Sequence, residues 1–267
     1  MPTPWPAVAL AAVLGLVVGS FLNVVIHRVP REESVVSPPS HCPRCDVRIR
    51  ARHNVPVISW LLLRGRCASC GLGISARYPL VEAATGVLYA AVTLRFGVSA
   101  TLPAFLYLAT VAVVLTMIDF DVRRLPDAIL LPSYVVSLAL LIPAGAMDMD
   151  WHPATRGMAG GLLLGLLVFT LALALPANVS FGNAKLAGLL GIYLGWLSWG
   201  TLLVALVGTV VVAAAAGRRI TVAAPVPAGG RHGGRALPLG PFLIGGTVLT
   251  VFAAAPAAAL FGALLTG

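Results

Sequence analysis

The sequence predicts an all-α polytopic membrane protein of about eight transmembrane helices, with a small polar cytoplasmic domain between the first and the second. Three observations lead there. Hydrophobic residues make up 59% of the chain and charged residues only 10%, against about 25% charged in soluble domains. Apolar runs long enough to cross a bilayer, about 20 residues each, recur along the length. All four cysteines fall in the one sizeable polar segment. The net charge of +9 does not argue for nucleic acid, because basic residues in such a chain mark the cytoplasmic side.

Ala7 to Ile26 reads as the first span, with Gly15, Gly19 and Ser20 offering a small face for helix packing. No basic residue precedes it and Arg28 follows it, unlike a secretory signal peptide, which places its start outside and Arg28 inside. The segment from Arg28 to Tyr78 holds nine arginines and is expected in the cytoplasm. Further spans are read at about 80–96, 101–118, 126–145, 156–175, 184–199, 201–216 and 240–263. The sixth is interrupted by Gly188, Gly191, Gly195 and Gly200. Val222 to Gly240, rich in Gly and Pro, reads as a flexible loop. This topology puts both termini outside and 16 of the 18 basic residues inside, with only Arg95 and Arg156 on the other face. It divides the chain into a first helix (1–27), a cytoplasmic domain (28–79) and a helical core (80–267).

The stretch Leu115 to Asp127 concentrates chemistry. The chain has only 9 Asp and Glu residues, and Asp119, Asp121 and Asp127 fall here beside Arg123 and Arg124. Asp119 follows Val113 to Ile118 with no polar spacer, and an ionisable group at the edge of a membrane helix is a functional candidate. Asp121, Arg123 and Arg124 read equally well as markers of the point where the helix leaves the lipid. Asp127, after Leu125-Pro126, suits the start of the next helix. The topology returns the chain to the same face at Ser180 to Lys185.

Cys42-Pro-Arg-Cys45 and Cys67-Ala-Ser-Cys70 are two CxxC pairs separated by 21 residues. Each pair can present two thiolates from a tight turn, and two pairs complete a tetrahedral four-thiolate shell, the preferred structural zinc arrangement. A cytoplasmic location argues against disulfides. Four thiolates leave no open position, so the metal is expected to fold a zinc-binding domain too polar to build its own core. His41 and His53 read as surface residues.

Taken together, these pieces resemble the type IV prepilin peptidases, bifunctional membrane enzymes of bacterial pilus and type II secretion systems. The resemblance runs over nearly the whole chain. It rests on Gly19-Ser20-Phe21-Leu22-Asn23-Val24-Val25, the CxxC pairs, Asn54-Val55-Pro56, Leu63-Arg64-Gly65-Arg66-Cys67, Arg77-Tyr78-Pro79-Leu80-Val81-Glu82, Ile118-Asp119 through Leu125-Pro126-Asp127, Gly182-Asn183-Ala184-Lys185-Leu186 and Leu239-Gly240-Pro241-Phe242-Leu243.

The resemblance implies an intramembrane aspartyl protease in the bacterial inner membrane. One catalytic aspartate is then Asp119, and the second is the last residue of a Gly-x-Gly-Asp motif. Here that motif reads Ser180-Phe181-Gly182-Asn183, so Asn183, 64 positions after Asp119, stands at the second catalytic position. In an aspartyl dyad two carboxyls share one proton; one activates water and the other donates to the scissile carbonyl. An Asn amide has nearly the same shape but no proton to exchange. Loss of such acid–base help costs roughly 10²- to 10⁴-fold, so the chain as written is expected to be almost inactive in cleavage. An introduced Asp→Asn change and a natural degenerate site both fit, and the intact remainder of the motif set favours the first.

The resemblance further implies a prepilin or pseudopilin substrate cut at the cytoplasmic membrane boundary, contact with pilus or secretion assembly machinery, and methylation of the new N-terminus with S-adenosylmethionine. The cysteine loop is associated with that second activity, though no methyl-donor pocket is legible in the sequence. Arg77 and Glu82 are weak candidates for contact with the methyl donor and read more readily as an ion pair at a helix start. Lys185 fits either the charge of the dyad or a lipid phosphate. A pseudoenzyme keeping only prepilin binding or methyl transfer is the main rival reading, and a non-enzymatic transporter or assembly scaffold the lesser one.

Overall fold

The computed structural model describes residues 5–42, 44–175, 179–208, 211 and 239–266, with side chains as far as 253 in the last stretch. The helices are α1 (Trp5–Arg28), α2 (Ile58–Leu62), α3 (Arg77–Phe96), α4 (Leu102–Val122), α5 (Asp127–Met147), α6 (His152–Ala174), α7 (Phe181–Leu197), α8 (Trp199–Gly208) and α9 (Leu239–Thr266). Among the described residues the only β-pairing is two isolated bridges, His41 with Arg48 and Arg66 with Gly73. Most of the loop at 222–240, the end of the seventh predicted span, Arg218, Arg219, Arg231 and Arg235 lie outside the described residues.

A helix stands at each of the eight predicted places. Four stretches are long and apolar enough to cross a membrane: Trp5–Arg31, Leu102–Val122, Asp127–Met147 and His152–Ala174. Two of the others fall short for identifiable reasons: α3 carries Arg77, Glu82 and Arg95, and α7 has 17 residues. The chain forms two compact units, Met1–Val122 and Arg123–Gly267.

In the first unit α1 lies directly against α3. A Cβ added at Gly15 would stand 2.8 Å from the Gly86 Cα, and one at Gly19 would stand 2.7 Å from the Glu82 Cα. The backbones therefore touch, as the small face of the first span predicts. α4 joins them through Tyr89, whose hydroxyl shares a 2.7 Å hydrogen bond with the Thr110 hydroxyl, and through Phe96 stacked on Phe105 at 4.1 Å. Gly97, at φ +62° and ψ −165°, ends α3 with its N–H on the Thr93 carbonyl, a backbone conformation that glycine adopts without a Cβ penalty.

In the second unit α7 is buried almost throughout, from Asn183 to Trp196. Its glycines do not interrupt it; they bring α6 against it. A Cβ at Gly160 would stand 2.5 Å from the Gly191 carbonyl oxygen, and one at Gly165 would stand 3.2 Å from the Gly188 Cα. The sequence reading of Gly188, Gly191 and Gly195 as breaks is therefore corrected: they are a packing seam, and the helix ends only at Ser198. Polar bonds fix α5 to the same helix. The Tyr193 hydroxyl donates to Ser137 Oγ at 2.8 Å and the Tyr134 hydroxyl to the Lys185 carbonyl at 2.5 Å. Arg156 closes the far end of α7, donating to the carbonyls of Gly195 and Trp196 at 2.6 Å and of Leu197 at 3.1 Å. A cation at a helix C-terminus meets both orphan carbonyls and the negative end of the helix dipole.

Gly160→Val inserts two methyls and a branch point into backbone contact with α7, and overpacking of this kind costs about 1–3 kcal/mol or more. The purified variant should melt well below the parent in a thermal scan. Gly246→Ala, where an added Cβ meets nothing within 4 Å, should leave the transition in place.

Candidate functional site

The four cysteines converge. Their sulfurs all lie within 4.8 Å of one another, and those of Cys42 and Cys70 are 4.0 Å apart, with no disulfide among them. A tetrahedron with Zn–S bonds of about 2.3 Å has sulfur–sulfur edges of about 3.8 Å, so the donor set suits a thiolate-bound ion with a small inward shift of the side chains. The two halves are built alike. The Cys42 N–H donates to the Val47 carbonyl while the Asp46 N–H returns to Cys42, and Cys67, Leu72 and Gly71 repeat the pattern. Asp46 and Gly71, at φ +57° and +70°, make the same left-handed turn in each knuckle. His41 lies outside the cluster, 3.7 Å from exposed Asp46.

Backbone N–H groups prepare the thiols for a cation. Those of Cys70 and Ser69 hold Cys67 down to about 6, and those of Arg44 and Cys45 lower Cys42. Cys45 accepts from the Val47 N–H, yet desolvation and the neighbouring thiols push it up to about 11. Four thiolates cannot ionise side by side unaided; a dication removes the conflict.

A second polar centre of the first unit is the end of α4. Asp119 is buried there, 5% exposed, one turn from the helix terminus. Two residues on, Asp121 is held by both arms of Arg77, at 2.7 and 2.6 Å, and the same guanidinium reaches the Met117 carbonyl at 3.4 Å. This corrects the expected pairing of Arg77 with Glu82. Glu82 instead is buried and accepts from the Val57 N–H at 2.7 Å. The bidentate fork pins the helix end that carries Asp119 to the start of α3.

In the second unit Ser180 caps α7: its carbonyl and hydroxyl both accept from the Asn183 N–H, at 3.0 and 3.4 Å. Asn183 is thereby set in the first turn of the helix, 7% exposed. Gly182 leaves room over Leu125, 3.5 Å from where its Cβ would stand. Lys185 binds both carboxylate oxygens of Asp127 at 2.8 Å. That partner was legible as neither of the two roles the sequence offered for the lysine, since it is 58 residues away. Asp119 thus belongs to one unit, and Asn183, Gly182 and Lys185 to the other.

The structure adds a feature the sequence concealed. A cavity of about 1080 Å³ lies between the last turns of α1, the first turns of α3 and the cysteine segment, with Glu82 in its wall. Arg28 folds the strap after α1 beside it, donating to the carbonyls of Ser34 at 2.9 Å and Pro38 at 2.7 Å. Asn23 ties α1 to the start of α3 through the Tyr78 carbonyl, 3.1 Å away. No local pattern signals that residues 23, 57 and 82 enclose a space, because each contact spans tens of residues.

A helical membrane protein with a four-thiolate cluster behind its first helix is the class these features define. The family described as Bacterial Peptidase A24 N-terminal domain matches residues 13–96. The chain is 38% identical to a prepilin leader peptidase/N-methyltransferase of Neisseria gonorrhoeae over 79% of its own length and 84% of that protein. It is 42% identical to one of Myxococcus xanthus over 69% of its length, spanning 55% of that relative, and 34% identical to one of Burkholderia pseudomallei over 95% of its length and 88% of that protein. No solved structure matches. The chain belongs to the prepilin leader peptidase/N-methyltransferase family.

Elemental analysis of the purified chain should find one divalent ion per molecule, and Cys67→Ala should lose it. Because ligand thiols bind metal only after shedding protons, apparent metal affinity should fall as the pH is lowered toward about 6, where Cys67 takes up its proton. A competition titration with a chelator at successive pH values reads this directly.

Proposed function

We propose that the chain is a prepilin-processing enzyme of the bacterial inner membrane whose peptidase site is silenced at one residue. Family membership carries the reading, together with a buried aspartate at the end of α4 and a buried residue 183 capped into the first turn of α7. Eight helices cross the bilayer, the domain at 28–79 and both ends of the site lie on the cytoplasmic side, and the core at 80–267 carries the cleavage chemistry. The substrate is a prepilin or pseudopilin, presented at the membrane boundary beside the pilus or secretion assembly machinery.

In that chemistry Asp119 is one half of an acid–base pair. The other half would take or give the shared proton as water attacks the scissile carbonyl. The Asn183 amide keeps the shape of that partner and can hold a water or a carbonyl oxygen by hydrogen bonds. It cannot exchange a proton, so cleavage stalls after binding. This holds whether the residue was introduced or arose naturally. Cys42, Cys45, Cys67 and Cys70 would hold a zinc ion, and with four thiolates leaving no open position its role would be structural. The family's second activity places a methyl group from S-adenosylmethionine on the new N-terminal amine, chemistry that does not require residue 183.

Asn183→Asp should raise cleavage of a detergent-solubilised cognate prepilin by roughly 10²- to 10⁴-fold, measured by the mass shift on loss of the leader. Adding Asp119→Ala to the restored chain should abolish it again. A restored chain that stays inactive defeats the peptidase reading and leaves binding or methyl transfer alone.

A further inference from the structure

The cysteine segment carries an apolar face that stands exposed. α2 places Ile58, Leu61 and Leu62 at i, i+3 and i+4, the spacing that lines side chains along one side of a helix. They are 55%, 60% and 79% exposed. The rest of the helix is bonded inward. The Ser59 hydroxyl accepts from the Val55 N–H at 3.0 Å and donates to the Arg52 carbonyl at 3.1 Å, and the Trp60 indole N–H donates to the Ile74 carbonyl at 3.0 Å. These bonds stop α2 from rolling, so the stripe is presented outward in a fixed direction. Apolar surface of this kind, edged by polar residues, marks a docking surface.

Two observations point to its occupant. The first is level. A Cβ added at Gly19 would touch the Glu82 Cα, so the two positions face each other. α1 runs on from Gly19 to Arg28, a further nine residues and about 14 Å along its axis. Glu82 accepts from the N–H of Val57, the residue directly before α2. A glutamate side chain and one hydrogen bond fall well short of that distance. α2 therefore starts alongside the helix pair, inside the level at which α1 ends. Val57 holds φ +60° there, a region that a β-branched residue enters only where its surroundings impose it.

The second is charge. From Ser34 to Ala76 the chain carries Arg44, Arg48, Arg50, Arg52, Arg64 and Arg66 against a single acid, Asp46. Arg52, Arg64 and Arg66 are exposed and flank α2 in the sequence. An apolar stripe edged by arginines is the composition of an interfacial helix, whose apolar side lies between headgroups and acyl chains while the guanidinium groups reach phosphate.

We propose that α2 is a membrane-interface anchor: Ile58, Leu61 and Leu62 seat in the outer acyl region of an anionic leaflet, and Arg64 and Arg66 meet its phosphates. The inference rests on the reading of α1 as a membrane span. The cysteine segment is then fixed to the bilayer at its middle as well as at both ends, and its knuckles stay at the membrane boundary.

The test uses the full-length protein in nanodiscs, with a fluorescent noncanonical amino acid in place of Leu62. Quenching is read from lipids brominated in the acyl chain and, separately, from aqueous iodide. With phosphatidylglycerol in the disc, the label at 62 should lose most of its emission to brominated lipid and little to iodide. The label at Ala68, exposed on the second cysteine knuckle, should show the reverse. Ile58 takes the label if the variant at 62 elutes differently from the parent. Arg64→Gln with Arg66→Gln should shift the balance toward the undocked form by about fivefold per charge removed, and discs of phosphatidylcholine alone should shift it the same way. Lipid quenching that neither change moves overturns the part given to the arginines. Quenching at 62 by iodide and not by lipid overturns the anchor, and so does protection from both, which shows a protein covering the face. The same label at Leu14, exposed midway along α1, separates the premises. Lipid quenching at 14 without any at 62 overturns the anchor and leaves the span in place, whereas none at either position overturns the span as well.

Discussion

In a bilayer, apolar side chains gain little by meeting one another, because lipid tails are equally apolar. Helices must instead be held by close backbone approach and by polar bonds between them. Each unit of this protein depends on one such seam. α1 meets α3 through Gly15, Gly19 and Gly86, and α6 meets α7 through Gly160, Gly165, Gly188 and Gly191. Everything with chemistry hangs from these two pairs. The α1–α3 seam fixes where Glu82 and the cysteine segment stand, and the α6–α7 seam fixes the helix whose first turn holds residue 183.

Polar bonds then set the finer positions. Arg77 grips Asp121 with both guanidinium arms at the end of α4, and Lys185 grips both oxygens of Asp127 near the start of α7. Both pairs are partly exposed, so their worth to overall stability is modest, on the order of 0–1 kcal/mol each. Their value is in orientation. The planar Arg77 fork on a carboxylate fixes direction as well as distance, and so orients the helix end that carries Asp119. The cysteine segment shows the complementary strategy. It has few buried apolar residues, Cys42 among them, and relies on repeated knuckle turns gathered around one set of sulfurs.

Much of this was legible in the sequence because it is local. The CxxC spacing announces the cluster, a chain with few acids draws attention to Asp119, and the Gly15–Gly19 spacing announces a packing face. What stayed hidden is non-local. The glycines of α7 looked like helix breaks because propensity counts glycine against a helix, whereas in the folded unit their missing side chains admit a neighbour. Arg77 and Glu82 lie five apart and suggested a mutual pair, but their partners come from residues 121 and 57. Arg156 looked like a charge on the wrong side of a topology until its three carbonyl partners on α7 supplied a reason for it. The cavity is the extreme case, since an enclosed volume has no signature in any single stretch.

The cap on α7 separates two things that enzymes usually keep tied together. Ser180 satisfies the backbone N–H of residue 183 through its own carbonyl and hydroxyl, and neither contact involves the side chain at 183. An amide and a carboxylate of the same outline are therefore interchangeable as far as this helix start is concerned. The cap is indifferent to that exchange, although a carboxylate at this position, 7% exposed, carries a desolvation cost that the amide does not. A check that reads only exposed apolar surface or a loosened helix start would pass either side chain, because the bonds that hold this start are made by backbone and by Ser180.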